Sequence, residues 1–295
     1  MTKFLWLSAN QFGYELLDEA IRIKDSSVEV QGVITLDQER TKTKMHDGIP
    51  QERWNNFGVP VFPIDRIEHE GRDLIERLKP DYVLMVGWRQ IVPNEVLSLP
   101  EQGVLGLHPT KLPRGRGPAP IINQILDGTR NTAVTLMYVN EVTDGGDILY
   151  QATYEIDEND HASEVYEKVI GAGRQLMKIC LPRIAKGLFS RIPQNESQAT
   201  VYQPLKGANH LQREGNLVTL NRRIRAVSRP YNGAHFSEDN HKLTIWRAKL
   251  EDKFAEGGIS LQQDTLEEMY DKFNKGQGYI SQANQTLRFE EVDFT

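Results

Sequence analysis

The sequence predicts an α/β protein, a doubly wound and mostly parallel sheet followed by a smaller β-rich domain. Three observations predict it. Strand and helix signals alternate through the first two thirds of the chain. The run Asp81-Tyr82-Val83-Leu84-Met85-Val86 is apolar after its first residue, as in a parallel strand covered on both faces. Beyond residue 215 short strand signals crowd together instead.

Each element follows in order from the residues. Phe4–Ser8 is a short apolar strand, and after Asn10-Gln11-Phe12-Gly13 a helical pattern runs through Leu16, Leu17, Ala20 and Ile21. Val28–Leu36 is the second strand, and the polar, aperiodic residues 37–56 are a loop. Ile67–Leu78 is an amphipathic helix stopped by Pro80, and Gly87 ends the strand that follows. Gly103–His108 is another strand. Pro118–Asp127 is a helix with proline in its first turn and Gly128 at its end. Thr132–Val139 and Ile148–Ile156 flank a glycine turn and form a strand pair. His161–Lys186 is a long helix whose stripe Val165, Val169, Leu176 and Cys180 faces the core, so Cys180 is packing and not a nucleophile.

Periodicity is lost over 188–215, where Pro193, Asn195, Ser197, Pro204 and Gly207 lie. The expected organisation is a catalytic domain over 1–190, a linker over 191–215 and a C-terminal domain over 216–295. The last contains a helix, Leu217–Ala226, and short strands at Ala234–Phe236, Leu243–Leu250, Gly278–Ser281 and Thr286–Val292, as in a partly open, OB-like barrel. It is a candidate surface for a homodimer.

Composition excludes several classes. One cysteine in 295 residues rules out a disulfide framework and a cysteine zinc site. No apolar run approaches the length of a membrane span. The polar Asn10 and Gln11 arrive too early for a signal peptide, so the expected location is cytoplasmic and the two glycosylation-type tripeptides carry no meaning. The net charge of −6 speaks against a nucleic-acid partner. Residues 221–230 nevertheless hold four arginines and no acid, and read as a solvated helix face.

Ligands of doubly wound sheets bind outside the carboxyl ends of the strands. That places Ser8–Gly13, Gly87–Ile91 and His108–Gly117 on one rim. The segment Gly106–Pro120 holds four prolines, three glycines, two arginines and one histidine in 15 residues, and so forms a loop of fixed shape. His108 ends its strand at the rim, where an imidazole can donate to an oxyanion or trade a proton near neutral pH. Asp144-Gly145-Gly146-Asp147 is a turn, with too few ligands for calcium. There is no G-x-G-x-x-G after a strand, no P-loop, no H-E-x-x-H and no G-x-S-x-G.

In order along the chain stand His108, Leu112-Pro113, Arg116-Gly117, Pro120, Asp127-Gly128, Thr135 and Asp144-Gly145-Gly146-Asp147-Ile148. This series resembles the formyltransferases that use 10-formyltetrahydrofolate. Within that family it is most like the amino-sugar N-formyltransferases, with methionyl-tRNA formyltransferase a relative. The resemblance is strong over about residues 80–155. It is weaker at the N-terminal strand and at Arg225–Ala234, which looks like the family's second domain. It implies a Rossmann-like catalytic domain, 10-formyltetrahydrofolate as co-substrate and no metal. His108 and Asp144 are then the catalytic pair, His108 donating to the formyl oxygen and Asp144 holding His108 or a water.

The same resemblance places the folate between Gly87-Trp88-Arg89-Gln90-Ile91 and Val139, Asn140 and Thr143. It places Asn10, Thr110, Lys111 and Arg114 on the amine side, where Lys111 and Arg114 would meet a nucleotide diphosphate. The expected substrate is a small-molecule nucleotide-linked amino sugar. The alternatives are methionyl-tRNA, with the Arg222–Arg229 cluster on phosphates, and a non-catalytic folate- or nucleotide-binding relative. One departure stands out. The family's asparagine falls on Gly106, so its formyl-oxygen donor must come from His108, a backbone N–H, a water, Asn10 or Asn123, or the protein is weakly active.

Overall fold

The computed structural model describes residues 1–37 and 48–295. Of the polar loop expected over 37–56, residues 38–47 lie outside the described residues. Residues 51–57 are not loop but a short helix, α2 (Gln51–Trp54), and a 3₁₀ turn, with Trp54 fully buried.

The described residues divide into two compact units. The first comprises Met1–Pro118, Asn131–Glu155 and Glu167–Tyr202, so it extends through residues 191–202, where a linker was expected. The second comprises Ala119–Arg130, Ile156–Tyr166 and Gln203–Thr295.

The first unit is built on β1 (Thr2–Leu7), α1 (Gln11–Ile21), β2 (Val28–Leu36), β3 (Val61–Ile64), α3 (Arg72–Leu78), β4 (Tyr82–Val86), α4 (Asn94–Leu97) and β5 (Gly103–His108). The hairpin β6 (Asn131–Tyr138) and β7 (Ile148–Glu155) completes its sheet. The strand order is β3-β2-β1-β4-β5-β6-β7. The first five strands are parallel and the last two antiparallel. The chain leaves β1 in one direction for β2 and β3, then returns beside β1 as β4. The crevice at that reversal is where such sheets bind ligands.

Two glycines let the crevice close tightly. A Cβ on Gly13 would lie 1.8 Å from Ser8 Oγ and 2.7 Å from Val86 O, so α1 packs directly on the ends of β1 and β4. Gly87, with φ 64°, leaves its β-carbon space to the Asn10 side chain. Asn10 itself caps α1, its Oδ1 accepting from Gly13 N at 3.0 Å. One face of the sheet buries Leu5, Leu7, Ile34, Ile64, Val83 and Val104 against Ile67 and Ile75, the latter on α3. Trp88 packs on that cluster.

The helix expected over Ile67–Leu78 opens as a π-helical turn, Ile67–Gly71, before α3. In the second unit lie the short helix α5 (Pro120–Asp127) and the first turn of the long helix α6 (Ala162–Ala185). Then come α7 (Leu217–Val227), β8 (Ala234–Glu238), β9 (His241–Glu251), α8 (Leu266–Lys272), β10 (Tyr279–Gln282) and β11 (Gln285–Phe294). The four strands form an antiparallel sheet in the order β10-β11-β9-β8. Cys180 on α6 is 1% exposed, and burial pushes its thiol up to about 12, so it is no nucleophile. Among the described residues no helix is long and apolar enough to cross a membrane.

Candidate active site

Parallel pairing brings β4 and β5 to one rim, and His108 is the last residue of β5. Its ring is buried, and both nitrogens face defined groups. Nε2 lies 2.8 Å from Gly115 O. A carbonyl only accepts, so Nε2 carries the proton. Nδ1 lies 3.6 Å from Asp144 Oδ2. In the neutral ring Nδ1 therefore presents a lone pair, and in the imidazolium it presents a proton to the carboxylate.

Asp144 is brought there by the β6–β7 connection. Its φ of 50° is left-handed, which aspartate tolerates better than most residues. Gly145 N donates to Val142 O at 2.9 Å. A Cβ on Gly146 would lie 1.9 Å from Tyr138 O, so only glycine lets the turn lie on the end of β6. The carboxylate then accepts from Gly117 N at 2.8 Å. The turn expected at Asp144–Asp147 and the loop after His108 are thus joined at one carboxylate.

The loop is fastened from the hairpin. Thr135 Oγ1 donates to Thr110 O at 2.7 Å, Gln151 Nε2 to Leu112 O at 2.9 Å and Tyr154 OH to Pro109 O at 3.0 Å. Thr110 is buried and its Oγ1 donates to Gly115 O at 3.2 Å, which makes it part of the loop's frame. Lys111 and Arg114 are exposed on the same loop.

Beside the pair lies a cavity of about 460 Å³, within the size range of small-molecule sites. Its lining includes Gln90, Ile91, Val139, Asn140 and Thr143 from the expected folate residues, and Asp144. Met85 and Met137 contribute apolar, deformable walls, and neither was singled out from the sequence. Gly87, Trp88 and Arg89 do not line the cavity. Gln90 bridges backbone, donating to Asp65 O at 2.7 Å and accepting from Ile67 N at 3.0 Å.

Gly106 pairs with Met85 on one side and Met137 on the other. A Cβ there would lie 2.8 Å from Val139 Cγ2, so the space of the family's asparagine is taken by a valine methyl. Asn10 is a helix cap. Asn123 belongs to the second unit and donates to Ala119 O at 3.1 Å.

A buried imidazole and a half-buried carboxylate thus stand beside a cavity at the carboxyl ends of parallel strands, where enzymes of this fold class hold their ligands. Over residues 3–181 the chain matches the family described as Formyl transferase, and it belongs to that family of folate-dependent formyltransferases. It is 30% identical to methionyl-tRNA formyltransferase of Bacillus licheniformis over 259 residues, 84% of this chain and 79% of that protein. The Bacillus subtilis methionyl-tRNA formyltransferase is 29% identical over 84% of this chain and 78% of its own length.

Among solved structures, the N-formyltransferase from Helicobacter canadensis, in complex with folinic acid and dTDP-3-aminofucose, superposes with a TM-score of 0.67. It is 18% identical, over 88% of this chain and 91% of that one. A sugar N-formyltransferase from Shewanella gives a TM-score of 0.67 at 20% identity, over 83% of this chain and 96% of that one. At these identities the likeness shows the fold, an α/β catalytic unit with a four-stranded antiparallel second sheet.

Proposed function

We propose that the protein transfers the formyl group of 10-formyltetrahydrofolate to the primary amine of a nucleotide-linked amino sugar. One observation carries this choice of acceptor, namely the fate of the arginines in α7 and just after it. Arg225 is buried, its Nη1 donating to Asp160 O at 2.7 Å, and burial together with the nearby Arg222 lowers its proton affinity. Arg223 donates to His210 O at 3.1 Å. Arg229 pairs with Glu291 and lies 4.2 Å over the Trp246 ring. Arg223, Arg225 and Arg229 thus have partners inside their own unit, Arg225 alone being buried, while Arg229 stays half exposed. Lys111 and Arg114 stay exposed beside His108, where two cations suit a diphosphate.

The folate supplies the one-carbon group. The acceptor amine must attack neutral and then lose a proton, and His108 Nδ1 is the atom placed to receive it. The resulting imidazolium is held at both ends, by Gly115 O at Nε2 and by Asp144 at Nδ1. It can then return the proton to the departing nitrogen. With Nε2–H committed to Gly115 O and Nδ1–H, once present, facing Asp144, the ring serves as a base rather than as the donor to the formyl oxygen.

The second reading, methionyl-tRNA as acceptor, is favoured by the 30% identity over 84% of the chain. Transfer from 10-formyltetrahydrofolate to dTDP-linked 3- and 4-amino sugars and to methionyl-tRNA, in parallel, separates the two. Turnover with the sugars alone is the expected result. Turnover with methionyl-tRNA alone overturns it.

A further inference from the structure

We propose that Gln194 is a positioning residue for Asp144, acting through a strap over 192–202 that fixes both sides of the His108–Asp144 pair. The inference rests on the reading of Asp144 as a reaction residue and adds a group outside the matched family segment, which ends at residue 181. All four hydrogen-bonding positions of the Gln194 amide are used. Nε2 donates to Asp144 O and to Gly146 O, each at 2.8 Å. Oε1 accepts from Arg116 Nε at 3.1 Å and from Nη2 at 2.8 Å. Arg116 is 4% exposed, and its Nη1 and the second N–H of Nη2 donate to Glu196 at 3.0 and 2.7 Å.

The same strap binds the loop that carries the partners of His108. Arg116 N donates to Thr200 O at 2.9 Å, Tyr202 N to Arg116 O at 2.7 Å and Gly115 N to Thr200 Oγ1 at 2.8 Å. Gly115 supplies the carbonyl for His108 Nε2, and Gly117 supplies the N–H for Asp144. The two loops are therefore set against one common segment. The need for such a clamp follows from composition. The Asp144 turn contains two successive glycines, whose backbone freedom is large. Without Gln194 the two carbonyls would turn to water and the carboxylate would spread over several positions. A displacement of about 1 Å in a reacting group costs about 10²-fold in rate.

Two variants test this, with Asp144→Asn as reference. Gln194→Ala removes the amide. Gln194→Glu keeps a partner for Arg116, and so keeps the strap anchored, but has no proton for the two carbonyls. Formyl transfer from 10-formyltetrahydrofolate is measured with dTDP-3-aminofucose and methionyl-tRNA as acceptor probes, beside amide hydrogen exchange by NMR. Both variants should lose about 10–100-fold in kcat. KM for 10-formyltetrahydrofolate should change less than kcat, since Gln90, Ile91, Met85 and Met137 line the cavity independently of the Asp144 turn. Exchange of the Gly117 amide should rise at least about tenfold while the β5 amides hold their protection. Unchanged Gly117 exchange overturns the proposal, as does full kcat in both variants when Asp144→Asn is inactive. If Asp144→Asn itself turns over normally, the reading of the site fails instead, and the Gly117 exchange still decides whether Gln194 holds the turn.

Discussion

Two side chains carry the reaction as we read it, and neither belongs to the apolar cluster of the sheet. His108→Asn and Asp144→Asn should each lower turnover by about 10²–10⁴-fold, the usual worth of a positioned acid or base. Circular dichroism of each variant should keep the wild-type form, because neither residue belongs to the apolar core, although His108→Asn gives up the bond to Gly115 O. Turnover near wild type in either variant would remove that residue from the mechanism. Gly106 behaves differently. An asparagine there places a Cβ 2.8 Å from Val139 Cγ2. Val139 is β-branched and strand-linked, its N–H donating to Val104 O at 2.8 Å, so it yields poorly. Gly106→Asn should therefore cost about 1–3 kcal/mol of stability by denaturant titration. Adding Val139→Ala should recover most of that loss. An unperturbed midpoint in the single variant would show that the space is open after all.

From the residues alone His108 reads as a rim histidine and Asp144 as part of a turn, and only the family resemblance pairs them, as the 3.6 Å between Nδ1 and Oδ2 does in space. Gln194 was not legible. It lies in an aperiodic polar stretch that gives no pattern, and its role appears only when the chain has returned to the loop and the turn.

Regular elements were read where hydrophobic periodicity decides structure, as in Val28–Leu36 and Gly103–His108, whose bounds agree with the fold. They were missed where it does not. Strand β3 contains Pro63, which breaks a strand pattern, and it is tolerated because β3 is an edge strand. Helix α8 is short, and its start is marked instead by the capping box of Thr265 with Glu268. The start of α6 gives a prediction at this scale. His161 is 2% exposed, with Nδ1 donating to Asn159 O and Nε2 accepting from Ala248 N. Burial, aided by the Arg247 charge, lowers its pKa to about 4 against an ordinary 6.5.

The unfolded chain thus binds this proton at higher pH than the folded one. The stability that His161 contributes is complete above about pH 6.5 and is lost as pH falls toward 4. The slope approaches roughly 1.4 kcal/mol per pH unit. His235, also lowered by burial and by the Lys242 charge, adds in the same direction. Glu164 is separable. Burial alone would raise it, but the bonds from Arg247 and Ser163 prevail and hold it at about 2, so its share is lost only below about pH 4.5. Denaturation midpoints between pH 7 and 4.5 should fall, and His161→Gln should flatten the slope. A slope unchanged in that variant would mean that His161 is solvated in the native state.

At the scale of the whole molecule the question is where charge is left for a partner. The chain carries −6 overall, yet its acceptor must be anionic whether it is a nucleotide sugar or a tRNA. A long polyanion needs a field of cations, whereas a diphosphate needs two or three at one point. Arg223 and Arg225 of α7 are bonded within their own unit, while the loop after β5 keeps Lys111 and Arg114 in solvent. Such a distribution can grip a diphosphate but offers little to a backbone. Ionic strength reads this difference directly. With a nucleotide sugar, KM should change by no more than about threefold between 50 and 300 mM salt, because few counterions are released. A tRNA acceptor that neutralised six or more phosphates would weaken by about 10³-fold or more over a comparable range. Lys111→Ala with Arg114→Ala should raise the acceptor KM by about tenfold and leave that for 10-formyltetrahydrofolate unchanged, as expected for two charged contacts on one ligand. A steep salt slope, or an acceptor KM indifferent to both cations, would move the binding of the acceptor away from this loop.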